Sequence, residues 1–402
     1  MAASLCSAAG AGPASFYNAP FERHPNAAEL TTLGRTLFSE RGLSASGRMS
    51  CASCHDPARA YGPPDGASVR LGGADGKTAG VRAVPSLRYQ QDTPPFTEHY
   101  SESDGNDSVD QGPAGGRTWD GRAASAHEQA ALPLLSPFEM ANASREAAVA
   151  RLRASVSAGA FRDTFGPKAL NDPELAWTGL LWALEVFQQS PDDFYPYSSK
   201  YDAVLRGKAT LSAGEQRGLE LFNDPAKGNC AACHLSTIRH GAFPQFTDRG
   251  LLALGVPRNR TLPINRDAAY YDMGLCGPWR KDLKDRHEYC GLFKTPTLRN
   301  VATRRVFFHN GVYHRLEDVL AFYAERDLAP QKFYPRDGHG RVQKFDDLPS
   351  VFAANVNKDA PFEIGSDRRA LLSRREQTDI VTFLGTLSDG WRADPVPRRR
   401  TD

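Results

Sequence analysis

The sequence predicts an all-α protein built as two similar halves, and three observations carry that expectation. Cys51-Ala52-Ser53-Cys54-His55 returns once as Cys230-Ala231-Ala232-Cys233-His234. Each pentapeptide follows a stretch of helical period ending in Gly-x-x-Leu-Phe, at Leu30 to Phe38 and at Leu211 to Phe222. Each half then closes on an amphipathic segment, Pro173 to Gln189 and Leu371 to Leu387.

Ser212 with Glu215, and Ser373 with Glu376, have the Ser-x-x-Glu spacing of a capping box, which fixes where two of these helices start. The first closing helix carries Leu175, Trp177, Leu180, Leu181, Leu184 and Phe187 on its apolar positions. Between the landmarks, 62–80 and 94–116 are rich in Gly, Pro and Asp and too long for plain connections, so they are expected to line a site. Ser190 to Tyr201, with Pro191 and Pro196, reads as a linker between residues 20–195 and 201–395.

The pentapeptides supply the chemistry. Two thiols three residues apart can form thioethers with both vinyl groups of one haem, and the adjacent His can ligate its iron. A zinc site of Cys, Cys and His is the rival reading, although His directly after the second Cys strains a shared tetrahedron. Opening helix, haem motif, irregular middle and closing helix describe a cytochrome c-like domain, and the chain carries two.

A chain of 402 residues is long enough for two cores, and a net charge of +2 points to neither nucleic acid nor an anionic membrane as main partner. No apolar run approaches the length of a membrane span. Residues 1–12 read as the remnant of an export signal, though without a basic start or a long apolar core. Outside the two motifs stand Cys6, Cys276 and Cys290. Because covalent haem is attached after export, an oxidising compartment favours a disulfide between Cys276 and Cys290 and leaves Cys6 over.

Gly116-Arg117-Thr118-Trp119-Asp120-Gly121-Arg122-Ala123, Phe293-Lys294-Thr295-Pro296-Thr297-Leu298-Arg299-Asn300 and Phe308-His309-Asn310-Gly311 stand in order with the two haem motifs. Over residues 25–390 this pattern resembles the bacterial di-haem cytochrome c peroxidase and MauG superfamily. The resemblance implies a peroxide-reacting haem at Cys51, Cys54 and His55, an electron-transfer haem at Cys230, Cys233 and His234, and Trp119 between them. A core tryptophan beside a haem is the plainer reading of Trp119. MauG-like members carry Gln, Pro and Glu beyond the tryptophan, at positions matched by Gln129, Pro133 and Glu139. Peroxide cleavage needs a group that moves a proton between oxygens, so Glu139 is the expected acid-base residue and Gln129 its hydrogen-bonding neighbour. A Glu on a helix is more often simply exposed, but Pro137, Phe138 and Met140 argue against full solvation here.

Two positions divide the superfamily. Peroxidases that need reductive activation have a distal His about sixteen residues past the first motif's His, where this chain has Leu71 and no His from Val69 to Ala74. The first haem is therefore expected to be open at rest. Fourteen residues beyond His309 the peroxidases have Met, whereas MauG has Tyr, and here Tyr323 stands there. A phenolate is a hard ligand that favours higher iron oxidation states. Tyr323 also fits as one more aromatic in the stripe Leu316, Val319, Leu320 and Phe322.

The resemblance thus implies a periplasmic, hydrogen-peroxide-dependent oxidase that stores two oxidising equivalents across both haems, as a bis-Fe(IV)-like state, and withdraws electrons from a Trp or Tyr of a partner protein. The alternative is a cytochrome c peroxidase fed by a small redox protein. A non-catalytic carrier would need both irons six-coordinate, which the missing distal His disfavours. Among subgroups, the MauG-like enzymes of methanobactin gene clusters are the first to compare. The chain also departs from MauG. Gly228 replaces the surface tryptophan that relays electrons, leaving Trp279, Tyr270 and Tyr271 as exit candidates. Tyr89 replaces the Asn of the family's calcium site, so a calcium between the haems would rest on carbonyls near Arg304 and Val306. Asp104, Asn106, Ser108 and Asp110 alternate like calcium-loop ligands but lack the turn glycine and closing Glu, so a solvated acidic loop is the other reading.

Overall fold

The computed structural model describes residues 14–100, 112–363 and 369–393. Cys6, residues 1–12 and the 104–110 loop lie outside the described residues. The fold is helical: α1 (Ala14–Tyr17), α2 (Ala27–Ser39), α3 (Cys51–Cys54), α4 (Ala126–Leu135), α5 (Arg145–Ala154), α6 (Ala158–Phe165), α7 (Pro173–Phe187), α8 (Pro191–Phe194), α9 (Lys200–Leu205), α10 (Ala213–Asn223), α11 (Leu316–Glu325) and α12 (Arg374–Gly385). Strands among the described residues are confined to two pairs, β1 (Leu71–Gly72) with β2 (Thr78–Ala79) and β3 (Leu251–Leu252) with β4 (Phe293–Lys294).

The chain divides into two compact units. The first comprises Met1–Cys51, Gly72–Lys77 and Ala130–Gln189. Its opening helix α2 starts in a capping box that sequence reasoning missed, because Asn26 takes the place of the usual Ser or Thr: Asn26 Oδ1 accepts from Glu29 N at 3.0 Å, and Glu29 Oε2 accepts from Asn26 N at 2.9 Å. Helix α7 starts with Pro173 behind Asp172, whose carboxylate accepts from Glu174 N at 2.8 Å. The two helices pack with Leu30, Leu33, Leu37, Leu180 and Leu184 buried, each worth about 1.5–3 kcal/mol over exposure. Gly34 permits the close approach, since a Cβ there would lie 2.0 Å from the Ala183 carbonyl oxygen. Phe38 meets Phe187 edge-on at 5.5 Å.

The second unit comprises Ala52–Leu71, Thr78–Gln129 and Ser190–Asp402, and it repeats that construction. Helices α10 and α12 both start in the expected capping boxes, at Ser212 with Glu215 and at Ser373 with Glu376. A Cβ on Gly218 would lie 2.1 Å from the Asp379 carbonyl oxygen, and Phe222 meets Phe383 edge-on at 5.4 Å. The Gly and Phe of the Gly-x-x-Leu-Phe repeat are thus the contact of each opening helix with its closing helix. Cys276 and Cys290 form the expected disulfide. Ser190 to Tyr201 is not a solvated connection: it folds into α8 and the start of α9, with Phe194 and Tyr201 buried. Pro191 stands at the first turn of α8, where proline starts a helix as readily as it ends one elsewhere.

Candidate haem site

After α10, Asn229 takes a left-handed conformation (φ 47°) that turns the chain into a single 3-10 turn, Cys230–Ala232, and His234 N donates to the Cys230 carbonyl at 2.8 Å. His234 Nδ1 lies 2.9 Å from the Phe246 carbonyl. A carbonyl can only accept, so Nδ1 carries the proton and Nε2 keeps its lone pair for a metal. Burial pulls this imidazole down to about 4, against the opposing effect of hydrogen bonding to the Phe246 and Pro296 carbonyls. It is held neutral, as an iron ligand must be. Burial also pushes the Cys230 and Cys233 thiols up to about 12.

The first motif has the same support. Its cysteines open and close the single helical turn α3. His55 Nδ1 lies 3.1 Å from the Tyr61 carbonyl. Burial brings His55 down to about 4, the Tyr61 and Pro85 carbonyls oppose that, and the charge of Arg304 adds to it.

A second repeat, invisible from the motifs alone, explains this likeness. Tyr61 and Phe246 both adopt left-handed backbone conformations, with φ of 53° and 54°. That conformation lets each carbonyl accept twice: Tyr61 O from His55 and from Leu87 N at 3.2 Å, Phe246 O from His234 and from Leu298 N at 3.3 Å. The two leucines belong to Pro85-Ser86-Leu87-Arg88 and Pro296-Thr297-Leu298-Arg299, whose prolines supply the other carbonyls facing the histidines. The next residues, Tyr89 and Asn300, again share positive φ, and both donate to Asp389, at 2.6 and 2.7 Å. The signal was present as Pro-x-Leu-Arg occurring twice, but at unequal distances from the motifs it serves.

Four cysteines free of disulfides, each pair followed by a His of fixed tautomer, fit two thioether-bound haems. Cys51, Cys54 and His55 would hold one, and Cys230, Cys233 and His234 the other. Among the described residues no three His, Cys, Asp or Glu side chains converge as metal ligands, so the zinc alternative lacks its ligand set.

Trp119 is half-buried and held from two sides. Its Nε1 donates to the Ala83 carbonyl at 2.8 Å, and its own carbonyl accepts from Lys294 N at 2.8 Å. The Lys294 ammonium donates to the Gly116 carbonyl at 2.8 Å, and burial, with Arg249 and Arg117 nearby, holds its pKa well below the ordinary lysine value. Gly116 is required, because a Cβ there would stand 2.0 Å from the Gly121 carbonyl oxygen at a φ of 67°. Beside the indole, fully buried Asp120 accepts from Arg82 at 2.7 Å, Arg122 at 2.8 Å and Thr118 at 2.6 Å. Burial alone would raise its carboxyl, but Arg82 and Arg122 hold it well below the usual range. Lys294, Asp120 and the Ala83 carbonyl were not singled out from sequence.

Tyr323 lies on α11, half-buried, with its ring stacked on Phe362 at 5.1 Å. Burial raises its phenol, and the Cys233 and Cys230 thiols are near enough to raise it further. The side chain packs against the core formed by the stripe residues Leu316, Val319, Leu320 and Phe322, all buried, and lies within electrostatic reach of the second haem motif. Leu71 sits in β1 and is 58% exposed. Gln129 and Pro133 lie on α4, both half-buried. Glu139 is not on a helix: α4 ends at Leu135, because Pro137 disfavours helical backbone at Ser136, and Glu139 occupies the following turn with its side chain exposed. Its carbonyl accepts from Gly73 N at 2.8 Å.

Gly228 could not be a tryptophan in this fold, since a Cβ would lie 2.5 Å from the Leu221 carbonyl oxygen. Of the exit candidates, Trp279 Nε1 donates to Tyr270 Oη at 3.1 Å, and Tyr271 lies under the Arg258 guanidinium at 5.1 Å. Of the carbonyls expected for calcium, that of Val306 is engaged within the chain. Arg304 Nε donates to Val306 O at 3.3 Å, and its terminal nitrogen to Val84 O at 3.0 Å.

A helical fold with two matched Cys-x-x-Cys-His loops, each with a backbone-locked histidine, defines a di-haem redox protein. The family model described as di-haem cytochrome c peroxidase matches residues 28–210. The methylamine utilization protein MauG of Paracoccus denitrificans is 36% identical over 301 residues, 73% of this chain and 74% of the relative. The crystal structure of the diheme peroxidase BthA from Burkholderia thailandensis superposes with a TM-score of 0.80 at 36% identity, covering 91% of this chain and 87% of that one. A MauG-like protein associated with microbial copper homeostasis is less similar, with a TM-score of 0.62 at 25% identity and 90% coverage of both chains. The chain belongs to the di-haem cytochrome c peroxidase and MauG family, and it is an oxidoreductase of the di-haem, peroxide-using type. Among the described residues no helix is long and apolar enough to cross a membrane.

Proposed function

We propose that this enzyme works as MauG does: it uses hydrogen peroxide to acquire two oxidising equivalents, shared between two haems, and spends them on a Trp or Tyr of a periplasmic partner protein by long-range electron transfer. The observation that carries this reading is Tyr323, a half-buried phenol near enough to the Cys230 and Cys233 thiols for them to raise it, at the position where the peroxidases have methionine. When bound, haem supplies the oxidising chemistry, and the chain's own groups set its ligands, its protons and the path of its electrons.

His55 and His234 would serve as the proximal ligands, kept neutral by burial and fixed in tautomer by their Nδ1–H bonds. Tyr323 would hold the second haem through its phenol oxygen, a hard ligand that favours higher iron oxidation states. Leu71 leaves the first haem without a distal imidazole. Trp119 carries electrons between the haems from a fixed orientation, its N–H on the Ala83 carbonyl and its carbonyl on Lys294 N. Glu139 moves the peroxide proton with Gln129 as neighbour, while Pro133 shapes the helix between them. In this reading residues 20–195 serve the peroxide-reacting haem and 201–395 the His and Tyr haem. The Trp279–Tyr270 hydrogen bond makes that pair the favoured exit route over Tyr271.

Electron paramagnetic resonance of the resting ferric holoprotein tests the ligation. One high-spin and one low-spin haem are expected, and Tyr323→Phe should shift the low-spin signal. Two low-spin signals, or an unchanged spectrum in the variant, would contradict the assignment. Mass spectrometry of periplasmic proteins after peroxide treatment should identify a substrate that gains an oxidised Trp or Tyr only with active enzyme.

A further inference from the structure

The family's calcium site does not fit the residues present here. Tyr89, in the place of the family's Asn, offers no amide oxygen, and its hydroxyl is committed to Asp389 at 2.6 Å. The Val306 carbonyl, expected to face the ion, accepts from Arg304 Nε. We infer that the Arg304 guanidinium takes over the role of that ion, as a fixed internal cation between the His55 support and Trp119, and that the enzyme is calcium-independent.

The placement is specific. Two consecutive carbonyls, of Ala83 and Val84, receive the Trp119 indole N–H and the Arg304 guanidinium, and the next, of Pro85, is near enough to His55 to act on its titration. The guanidinium also abuts the turn that carries Tyr61, since a Cβ on Gly62 would lie 3.2 Å from an Arg304 terminal nitrogen. A planar cation with directed N–H groups bridges two carbonyls of fixed separation, as calcium bridges them by coordination. Calcium could not enter without displacing it, because two cations at one set of carbonyls repel in a site poor in water.

The charge is uncompensated. Burial draws Arg304 down to about 10, and no carboxylate of the described residues opposes that effect. Most other buried arginines here have an acidic partner, as Arg82 has Asp120 and Asp272, and Arg299 has Asp202. A half-buried guanidinium bonded to two carbonyls and to no carboxylate of the described residues is the arrangement expected where a side chain stands in for a metal ion held by backbone oxygens.

The test uses the haem-loaded enzyme. After dialysis against EGTA, elemental analysis should find calcium far below one per chain, with the ferric resonance spectrum and melting temperature unchanged when calcium is restored. Near-stoichiometric calcium, or a spectrum that changes on chelation and recovers with calcium, overturns the inference. Arg304→Met should lose several degrees of melting temperature and alter the haem spectrum, whereas Arg304→Lys, keeping the charge, should recover part of both. If Arg304→Met leaves spectrum and melting unchanged, the cation has no such role. Should the methionine variant fail to fold, the metal content and chelation response of the unaltered enzyme still decide the question. None of these outcomes depends on whether the substrate is a protein or the electron donor a small cytochrome.

Discussion

The two histidine supports are nearly the same object built twice, and they differ where function divides the haems. In each, an aromatic residue in left-handed conformation offers one carbonyl to the histidine and to the leucine of Pro-x-Leu-Arg. In each, the glycine and phenylalanine of Gly-x-x-Leu-Phe weld an opening helix to a closing one. The departures lie elsewhere. The second motif has a phenol, Tyr323, within electrostatic reach of its cysteines. The first has Leu71, exposed, where activation-dependent relatives carry an imidazole. The histidine support is thus common machinery, and under the proposed function the differences at Tyr323 and Leu71 are what would distinguish a storing haem from a reacting one.

The arginines of the two Pro-x-Leu-Arg loops offer the largest test of that comparison. Arg299 pairs with Asp202 from 1% and 0% side-chain exposure, so Arg299→Met leaves a buried carboxylate without its counter-ion, with Ser199 as its remaining donor, and should cost about 3–5 kcal/mol, read from denaturant unfolding of the holoprotein. Burial alone would raise that carboxyl, yet Arg299 holds it below its ordinary value in the native state, so the cost should be present at neutral pH and shrink as acid protonates Asp202. Arg88→Met should cost less, because its pair with Asp389 is the more exposed, at 16% and 6% of the side chains. Equal losses would break the view that the second loop holds the more deeply buried, more costly ion pair.

Next come the glycines. Gly34→Ala and Gly218→Ala each force a methyl into a backbone carbonyl, and both should fall at or beyond the top of the ~1–3 kcal/mol range for overpacking, seen as a lowered melting temperature. A large difference between them would mean that the two helix pairs are not equivalent. Smallest are the caps: Asn26→Ala and Ser212→Ala should each cost about 1 kcal/mol by the same assay, since each removes the acceptor of one capping box.

Much of this was legible beforehand because it is local. Capping boxes, helical period and Cys-x-x-Cys-His depend on spacings of a few residues, and Ser212, Ser373, His55 and His234 are where the sequence places them. Non-local partners were not legible. No pattern announces that the Ala83 carbonyl receives Trp119, that Lys294 clamps the same turn, or that Arg304 reaches Val84. Nor did the sequence reading foresee that α4 stops before Glu139, which follows from the effect of Pro137 on its predecessor, or that the expected linker 190–201 holds α8, begun by Pro191.

Stoichiometric hydrogen peroxide added to the ferric enzyme with no reductant is the most direct test of the division of labour between the haems. The high-spin and low-spin resonance signals should vanish together and return only after two electrons are supplied, with Tyr323→Met losing this behaviour. An enzyme that ignores peroxide until one haem has first been reduced would contradict that division.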